Sequence, residues 1–497
     1  MTTIMDFLRR LYNSEFSKKI GIYKNQEFLR LYRYISDRVS PLYASLCSKK
    51  LRTLYSNKEL TTENISKLTY QDLDYLISYD IDLFKKISTE IYSVNLERIK
   101  TKGKISVGFF INNLSSWSCD RIYRLFEENP LYEPVILVVG LHDGTLASRR
   151  DTYKETVDYF EKSDYRIIGL WDGVCDEPVT WDNVPCPDIV FLLTPYSGSL
   201  PKELNIYQIP LSTLLVYIPY AILSDKLDWW FDSPGPQLSW TYFCENSFFY
   251  DMIGSTAELG NSNVVVSGHP KLDPLINPLV ELDPMNIWKF SPNANPSCVR
   301  KIVYTPHQSI DNGEHSSSTF HQNYMYFYNY AREHPDTTSW IIKPHPLLRS
   351  RSVEYGLFNS ESEYDAYLDL WDALPNAKTV RTGHYQDLFI TSDAMITDSG
   401  SFLTEYLSVN KPIILLTRNQ RLFNSWGMFV FELTYPILGT DYPGITQMIE
   451  NVILCDDDPL SGSRESMYEK YFKRSPEMFV DASTYIYNYI QSFIRER

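Results

Sequence analysis

The spacing of apolar and polar positions changes character near residue 100. Before that point apolar residues recur every three to four positions with few glycines, the pattern of amphipathic helices, with turn signals at Ser40-Pro41 and Asn57. Beyond it, short apolar runs alternate with helical stretches. Residues 104–111 read as a strand ending in Asn112-Asn113, 117–128 as a helix, 134–140 as a second strand, 147–162 as a helix, and 165–170 and 188–193 as further strands. Apolar strands separated by helices predict a mostly parallel sheet covered on both faces.

The pattern restarts after the break Pro292-Asn293-Ala294-Asn295-Pro296. Strands are predicted at 301–306, 340–346, 377–381, 394–398 and 412–416, with helices at 320–334, 387–390 and 401–409. The last 40 residues read as helical, with Tyr485, Ile486 and Ile490 on one stripe. A chain of 497 residues exceeds the size at which one core stops growing, roughly 250–300 residues. The expected fold class is therefore α/β, with two Rossmann-like lobes: a helical extension over 1–100, a first lobe over 101–290, a second over 291–450, and bracing helices over 451–497. The second lobe is read as the nucleotide-donor lobe and the first as the acceptor lobe.

In such sheets ligands sit beyond the carboxyl ends of the strands, and that rule selects the candidate chemistry. Asp398-Ser399-Gly400-Ser401 follows a strand and opens a helix; the hydroxyls and helix amides suit a phosphate, while a plain capping turn would use the same residues. Glu405, one turn on, reaches a ribose or acceptor hydroxyl, or else faces solvent. Lys343-Pro344-His345-Pro346 ends another strand, with His345 fixed between prolines and suited to a leaving phosphate that Lys343 helps neutralise. His307, in Thr305-Pro306-His307-Gln308-Ser309, occupies the same topological place and is a candidate for phosphate contact or for the base. Ser318 and Thr319 bind phosphate or cap the next helix. His384 lies in a loop suited to the nucleotide base, with Asp387 as its helix cap. Gly268-His269-Pro270-Lys271-Leu272-Asp273 forms cleft floor or hinge. In the first lobe, Tyr196 follows a strand where an acceptor enters and completes the catalytic set with His307 and His345; His142 and Asp143 are weaker base candidates.

Composition narrows the class. Hydrophobic residues make up 43% and charged residues 22%, which is globular rather than disordered. The seven cysteines are scattered without a Cys-x-x-Cys pair, so neither a disulfide framework nor a thiolate zinc site is indicated. No P-loop, Gly-x-Gly-x-x-Gly, His-Glu-x-x-His or Gly-x-Ser-x-Gly is present, and no Asp-x-Asp pair points to a metal-bridged nucleotide site. A metal-independent transferase without a cofactor fits better than a kinase or hydrolase. The net charge is −15, which argues against nucleic acid, yet the first 60 residues carry twelve Lys and Arg against five Asp and Glu. That basic leader either lies on an anionic membrane face or packs on the body as a helical hairpin. No signal peptide or 18-residue apolar run is seen, so the expected place is the cytoplasm, including the inner face of the plasma membrane.

Taken together, Lys301-Ile302-Val303-Tyr304-Thr305-Pro306, Lys343-Pro344-His345-Pro346, the run from Thr391 to Ser401, and Lys411-Pro412-Ile413 resemble the CDP-glycerol glycerophosphotransferase family in order and spacing. That family comprises teichoic acid polymerases and primases and relatives in capsule gene clusters. The resemblance implies a GT-B architecture, a nucleotide-activated donor in the second lobe, and a glycan or lipid-linked glycan acceptor entering across the cleft. It implies that His345 contacts the donor phosphates and that Ser399, Gly400 and Ser401 cradle them. Two departures stand out. The family's Trp-His-Gly-x-Pro, whose His is the expected base, is absent, the comparable position being Thr194-Pro195-Tyr196-Ser197; and its Asp-Tyr-Ser-Ser is Asp-Ser-Gly-Ser here. The resemblance thus implies transfer of glycerol or ribitol phosphate from a CDP donor to a hydroxyl, with a nucleotide-sugar glycosyltransferase of capsule or surface polysaccharide as the alternative. An epimerase-like enzyme and a non-catalytic binder are the remaining readings.

Overall fold

The computed structural model describes residues 49, 51–53, 61, 65, 68–140, 145–195, 200–278, 280–311, 316–381, 385–418, 423–473 and 481–495. The basic leader apart from residues 49 and 51–53, together with His142, Asp143, Tyr196 and His384, lies outside the described residues. The described part of the helical extension contains α1 (Tyr70–Tyr79) and α2 (Ile81–Lys100). Thr69 opens α1 with a capping box shared with Asp72, and Asp80 caps α2.

The first sheet is built from β1 (Ile105–Ile111), β2 (Tyr132–Val138), β3 (Ile167–Gly169), β4 (Ile189–Leu192), β5 (Leu214–Tyr217), β6 (Thr241–Cys244) and β7 (Val264–Val266). Helices α3 (Asp120–Glu127), α4 (Leu146–Lys162) and α5 (Ser247–Thr256) connect or flank these strands. The order is β3-β2-β1-β4-β5-β6-β7, every pair parallel. Its central strands are apolar almost throughout because both faces are covered; Val190, Phe191, Leu215 and Val216 are wholly buried.

The second sheet repeats the plan with β8 (Arg300–Thr305), β9 (Thr338–Ile342), β10 (Ala377–Thr379), β11 (Ala394–Thr397), β12 (Ile413–Thr417) and β13 (Tyr435–Leu438). Its order is β10-β9-β8-β11-β12-β13, again all parallel. Helices α6 (Phe320–Glu333), α7 (Glu361–Ala373), α8 (Gln386–Thr391), α9 (Ser401–Leu407) and α10 (Ser425–Phe431) belong to this half. In both sheets the chain moves outward from the first strand, then jumps back to its other side. The crevice at that reversal is where a doubly wound sheet takes its ligand. In the second sheet it lies between the ends of β8 and β11.

Three devices join the halves. Asn424 donates through its amide to the Leu223 carbonyl (2.9 Å) and through its backbone N–H to that of Ser224 (3.0 Å). Gly427 packs so closely on the same turn that a Cβ there would stand 2.1 Å from the Ser224 carbonyl oxygen. Lastly, α11 (Ala482–Arg495) returns to the first lobe. Ile486, Ile490 and Ile494, spaced one turn apart, join the core made by Ile99, Ile105, Phe126 and Phe191. Its start is held by the buried carboxylate of Asp273, which accepts from the Ala482 and Ser483 N–H groups (2.7 and 2.9 Å) and the Ser483 hydroxyl (2.7 Å). Among the described residues no helix is long and apolar enough to cross a membrane.

Candidate active site

The carboxyl ends of β8, β9 and β11 deliver His307, Lys343 with His345, and Asp398 to Ser401 to the same edge of the second sheet. Tight loops hold them. The His345 N–H donates to the Pro306 carbonyl (3.0 Å), binding the β9 loop to the β8 loop. The two imidazoles face one another edge to face, 5.1 Å between centroids. Prolines on both sides of His345 fix the loop conformation that this needs.

The imidazoles are wired alike. The Leu347 N–H donates to His345 Nδ1 (3.1 Å), and the Ser309 N–H donates to His307 Nδ1 (3.3 Å), with the Ser309 hydroxyl also 2.9 Å from that atom. A backbone N–H can only donate, so His345 Nδ1 is an acceptor and the neutral ring carries its proton on Nε2. The His345 ring therefore offers an N–H to a ligand. Burial, with Lys343 adding to it, depresses the His345 pKa to about 4, so that ring is neutral at physiological pH.

Lys343 is 6% exposed, and its ammonium makes no hydrogen bond or ion pair with any described residue. Burial lowers its pKa. A buried cation without a partner is costly unless an anion joins it. Arg418, just past β12, adds a second cation nearby; it donates to the Ile310 and Ser318 carbonyls (3.2 and 3.3 Å). Its signal in the sequence is a basic residue directly after a strand, outside any of the motifs above.

Asp398 serves the site from within. Its carboxylate is fully buried and accepts from the His307 N–H (2.6 Å), the Thr319 N–H (2.6 Å) and the Thr319 hydroxyl (3.0 Å). It clamps the His307 loop to the start of α6 and has no surface for a donor, so the expectation of direct donor contact is corrected to one of support. Burial raises its pKa against the pull of these hydrogen bonds. Ser318 and Thr319 are likewise wholly buried and spent on this junction, the Ser318 hydroxyl accepting from the Phe320 N–H (3.3 Å). Thr319 makes no side-chain cap bond to that helix; its hydroxyl is spent on Asp398 and Asn323.

Ser399 is 4% exposed, and its N–H donates to Thr397 Oγ1 (2.9 Å). Gly400 opens α9, and no side chain caps that helix. Glu405 is corrected. It neither faces solvent nor reaches the crevice: at 0% exposure it pairs with Lys271 (3.0 Å) and accepts from the Tyr385 hydroxyl. Lys271 comes from the segment linking the lobes, so this ion pair fastens the linker to the helix behind Ser399–Ser401. In that segment His269 is neutral, burial pushing its pKa down to about 3, and its ring spans the Pro219 carbonyl (2.7 Å) and the Lys271 N–H (3.1 Å). Asp387 is not the cap of α8, where no side chain caps the start. Among the described residues no group of three His, Cys, Asp or Glu side chains is arranged to hold a metal ion.

Residues 236–491 match the family described as CDP-Glycerol:Poly(glycerophosphate) glycerophosphotransferase. The chain belongs to this family. It spans β6 to α11, and thus the whole of the second sheet and the crevice residues above. Among solved structures, the wall teichoic acid polymerase TagF is similar at 15% identity and a TM-score of 0.53, covering 83% of this chain and 94% of that one. A putative UDP-N-acetylglucosamine 2-epimerase from Listeria monocytogenes is similar at 14% identity and a TM-score of 0.47, covering 80% and 98%. At such identities the first likeness speaks to fold alone, and it agrees with a GT-B arrangement of two α/β lobes. No curated protein matches the chain by sequence. As a family member the protein is a transferase that works from a nucleotide-activated donor, in the chemistry of surface glycans.

Proposed function

We propose that the protein moves glycerol phosphate or ribitol phosphate from a CDP-activated donor to a hydroxyl of a surface-glycan or capsule precursor, without a metal ion. The observation that supports this reading is Lys343, a buried residue without a hydrogen-bond or ion-pair partner among the described residues, beside the His345 ring, which presents an Nε2–H. Such a group is built for an anion bearing several oxygens. In the transfer, the acceptor oxygen attacks the phosphorus next to the polyol, the bridging P–O bond breaks, and CMP leaves with the bond's electrons. Lys343 and the Nε2–H of His345 neutralise the charge that grows on the leaving phosphate, and His307 contacts the transferred group. Asp398, Glu405 and Lys271 hold these residues without touching substrate. The basic leader is proposed to bring the enzyme to the membrane face where a lipid-linked acceptor resides.

The test is calorimetric titration of CDP-glycerol, CDP-ribitol and UDP- and GDP-sugars into the wild type and His345→Ala. Selective binding of a CDP-polyol, weakened by His345→Ala, supports the reading. Selective binding of a nucleotide sugar moves the assignment to glycosyl transfer on the same scaffold.

A further inference from the structure

His345 cannot take the acceptor's proton: its Nδ1 is held as an acceptor, so the neutral ring offers an N–H and no lone pair. The acceptor hydroxyl must lose its proton as it attacks phosphorus, and that needs a lone pair from elsewhere. We propose that Glu245, at the carboxyl end of β6 in the first lobe, is the group that takes it; this rests on the phosphate-transfer reading above.

Glu245 is 4% exposed, and its Oε2 is buried without a hydrogen-bond partner. Among the described residues it is the one buried carboxylate with an oxygen that meets neither a hydrogen bond nor an ion pair. The next residue, Asn246, is 2% exposed; its Oδ1 accepts from the Phe248 and Phe249 N–H groups (3.0 and 3.2 Å), while its Nδ2 has no partner. An unanswered acceptor and an unanswered donor thus stand on consecutive residues. A hydroxyl, which donates one hydrogen bond and accepts others, answers an acceptor such as Glu245 Oε2.

The position fits. Phe248 and Phe249 pack on Trp426 of the second lobe (5.2 and 5.4 Å between centroids), so this end of β6 lies at the lobe junction. The Cys244 carbonyl accepts from the Ser267 N–H (3.1 Å), where the linker to Lys271 and the second lobe begins. Burial pushes the Glu245 pKa up to about 8, which lets the carboxyl exchange a proton near neutrality. The titratable groups that interact with it are Tyr242 and Cys244 on its own strand, with Tyr217 of β5 packed on Tyr242. At 4% exposure the carboxyl meets an acceptor only when the elements over it separate. In the step, the O–H electrons form the new O–P bond, the proton goes to Glu245 Oε2 and later to water, and the old P–O electrons leave on CMP.

The experiment follows CMP release from CDP-glycerol with glycerol as the hydroxyl acceptor between about pH 6 and 9.5, in the wild type, Glu245→Gln and Glu245→Asp. Donor affinity is measured in parallel by calorimetry. The expected result is a wild-type rate that rises to a plateau with a midpoint at about pH 8. Glu245→Gln binds donor within about twofold yet loses at least about 100-fold in rate together with the pH-dependent limb, while Glu245→Asp keeps the limb at a lower rate. A Glu245→Gln enzyme that retains the limb overturns the proposal, as does a wild type that binds donor and releases no CMP at any pH. If Glu245→Gln fails to fold, an unchanged limb midpoint and full rate in Glu245→Asp overturn it. Absence of donor binding by the wild type instead refutes the CDP-polyol reading beneath it.

Discussion

Replacing Lys343 by Met removes the ammonium and keeps most of the stem, so its consequences in the free and the liganded protein have opposite signs. In the free protein Lys343 is 6% exposed with no partner among the described residues, and burial depresses its pKa. Removing an uncompensated buried charge stabilises the fold by about 1–2 kcal/mol, or roughly 2–4 °C in unfolding midpoint. The sign with pH follows. A lysine whose folded pKa is lowered destabilises the fold most when it is charged in both states, and this penalty fades as pH rises through its folded pKa toward the higher unfolded one. The advantage of Met is therefore largest near neutrality and shrinks in alkali. With donor bound, the same change strips a buried phosphate of its cation and costs about 2–5 kcal/mol, roughly 30-fold to several thousand-fold in Kd. The assay is thermal unfolding with and without CDP-glycerol, with calorimetry for Kd. A Lys343→Met protein that is less stable when free, yet keeps its affinity, would refute the reasoning and make the ammonium structural.

Three further outcomes follow from named contacts. Asp273→Ala removes three hydrogen bonds at the buried start of α11 and lowers stability by about 2–4 kcal/mol, with amide-exchange protection lost over 482–495; unchanged protection there contradicts the capping role. Gly427→Ala sets a Cβ against the Ser224 carbonyl and costs about 1–3 kcal/mol in thermal unfolding, whereas a neutral result means the lobe seam yields freely. His345 is neutral in the fold with a pKa of about 4, against about 6.5 unfolded, so it withdraws up to about 3 kcal/mol of stability as pH falls from 6.5 through 4. His345→Gln should flatten that part of the acid-denaturation profile; an identical profile contradicts the burial of the ring.

Strands covered on both faces announced themselves as unbroken apolar runs, which is why β1, β4, β8 and β11 were readable from residues alone. The short strands Thr241–Cys244, Val264–Val266 and Tyr435–Leu438 were not, since three or four residues carry no period and their burial comes from neighbours distant in the chain. The donor-side residues were legible for a related reason: His307, Lys343 and His345 each stand directly after a strand, and topology dictates where strand ends go. What sits behind them was not. Glu405 carries the look of an exposed helical carboxylate, and nothing local reveals that Lys271 and Tyr385 close over it. Asp398 looks like one more capping residue until Thr319 and the His307 amide are seen to share it. Glu245 went unremarked because a lone Glu after Tyr242-Phe243-Cys244 has no signature; only its unanswered oxygen marks it.

The most direct test of the central claim is the identity of the nucleotide released when the enzyme turns over CDP-glycerol with a hydroxyl acceptor, read by phosphorus NMR. Attack at phosphorus, as the Lys343–His345–His307 cluster is proposed to support, yields CMP and a new phosphodiester. Release of CDP, or turnover confined to a nucleotide sugar with loss of the nucleoside diphosphate, would contradict it and assign the crevice to glycosyl transfer.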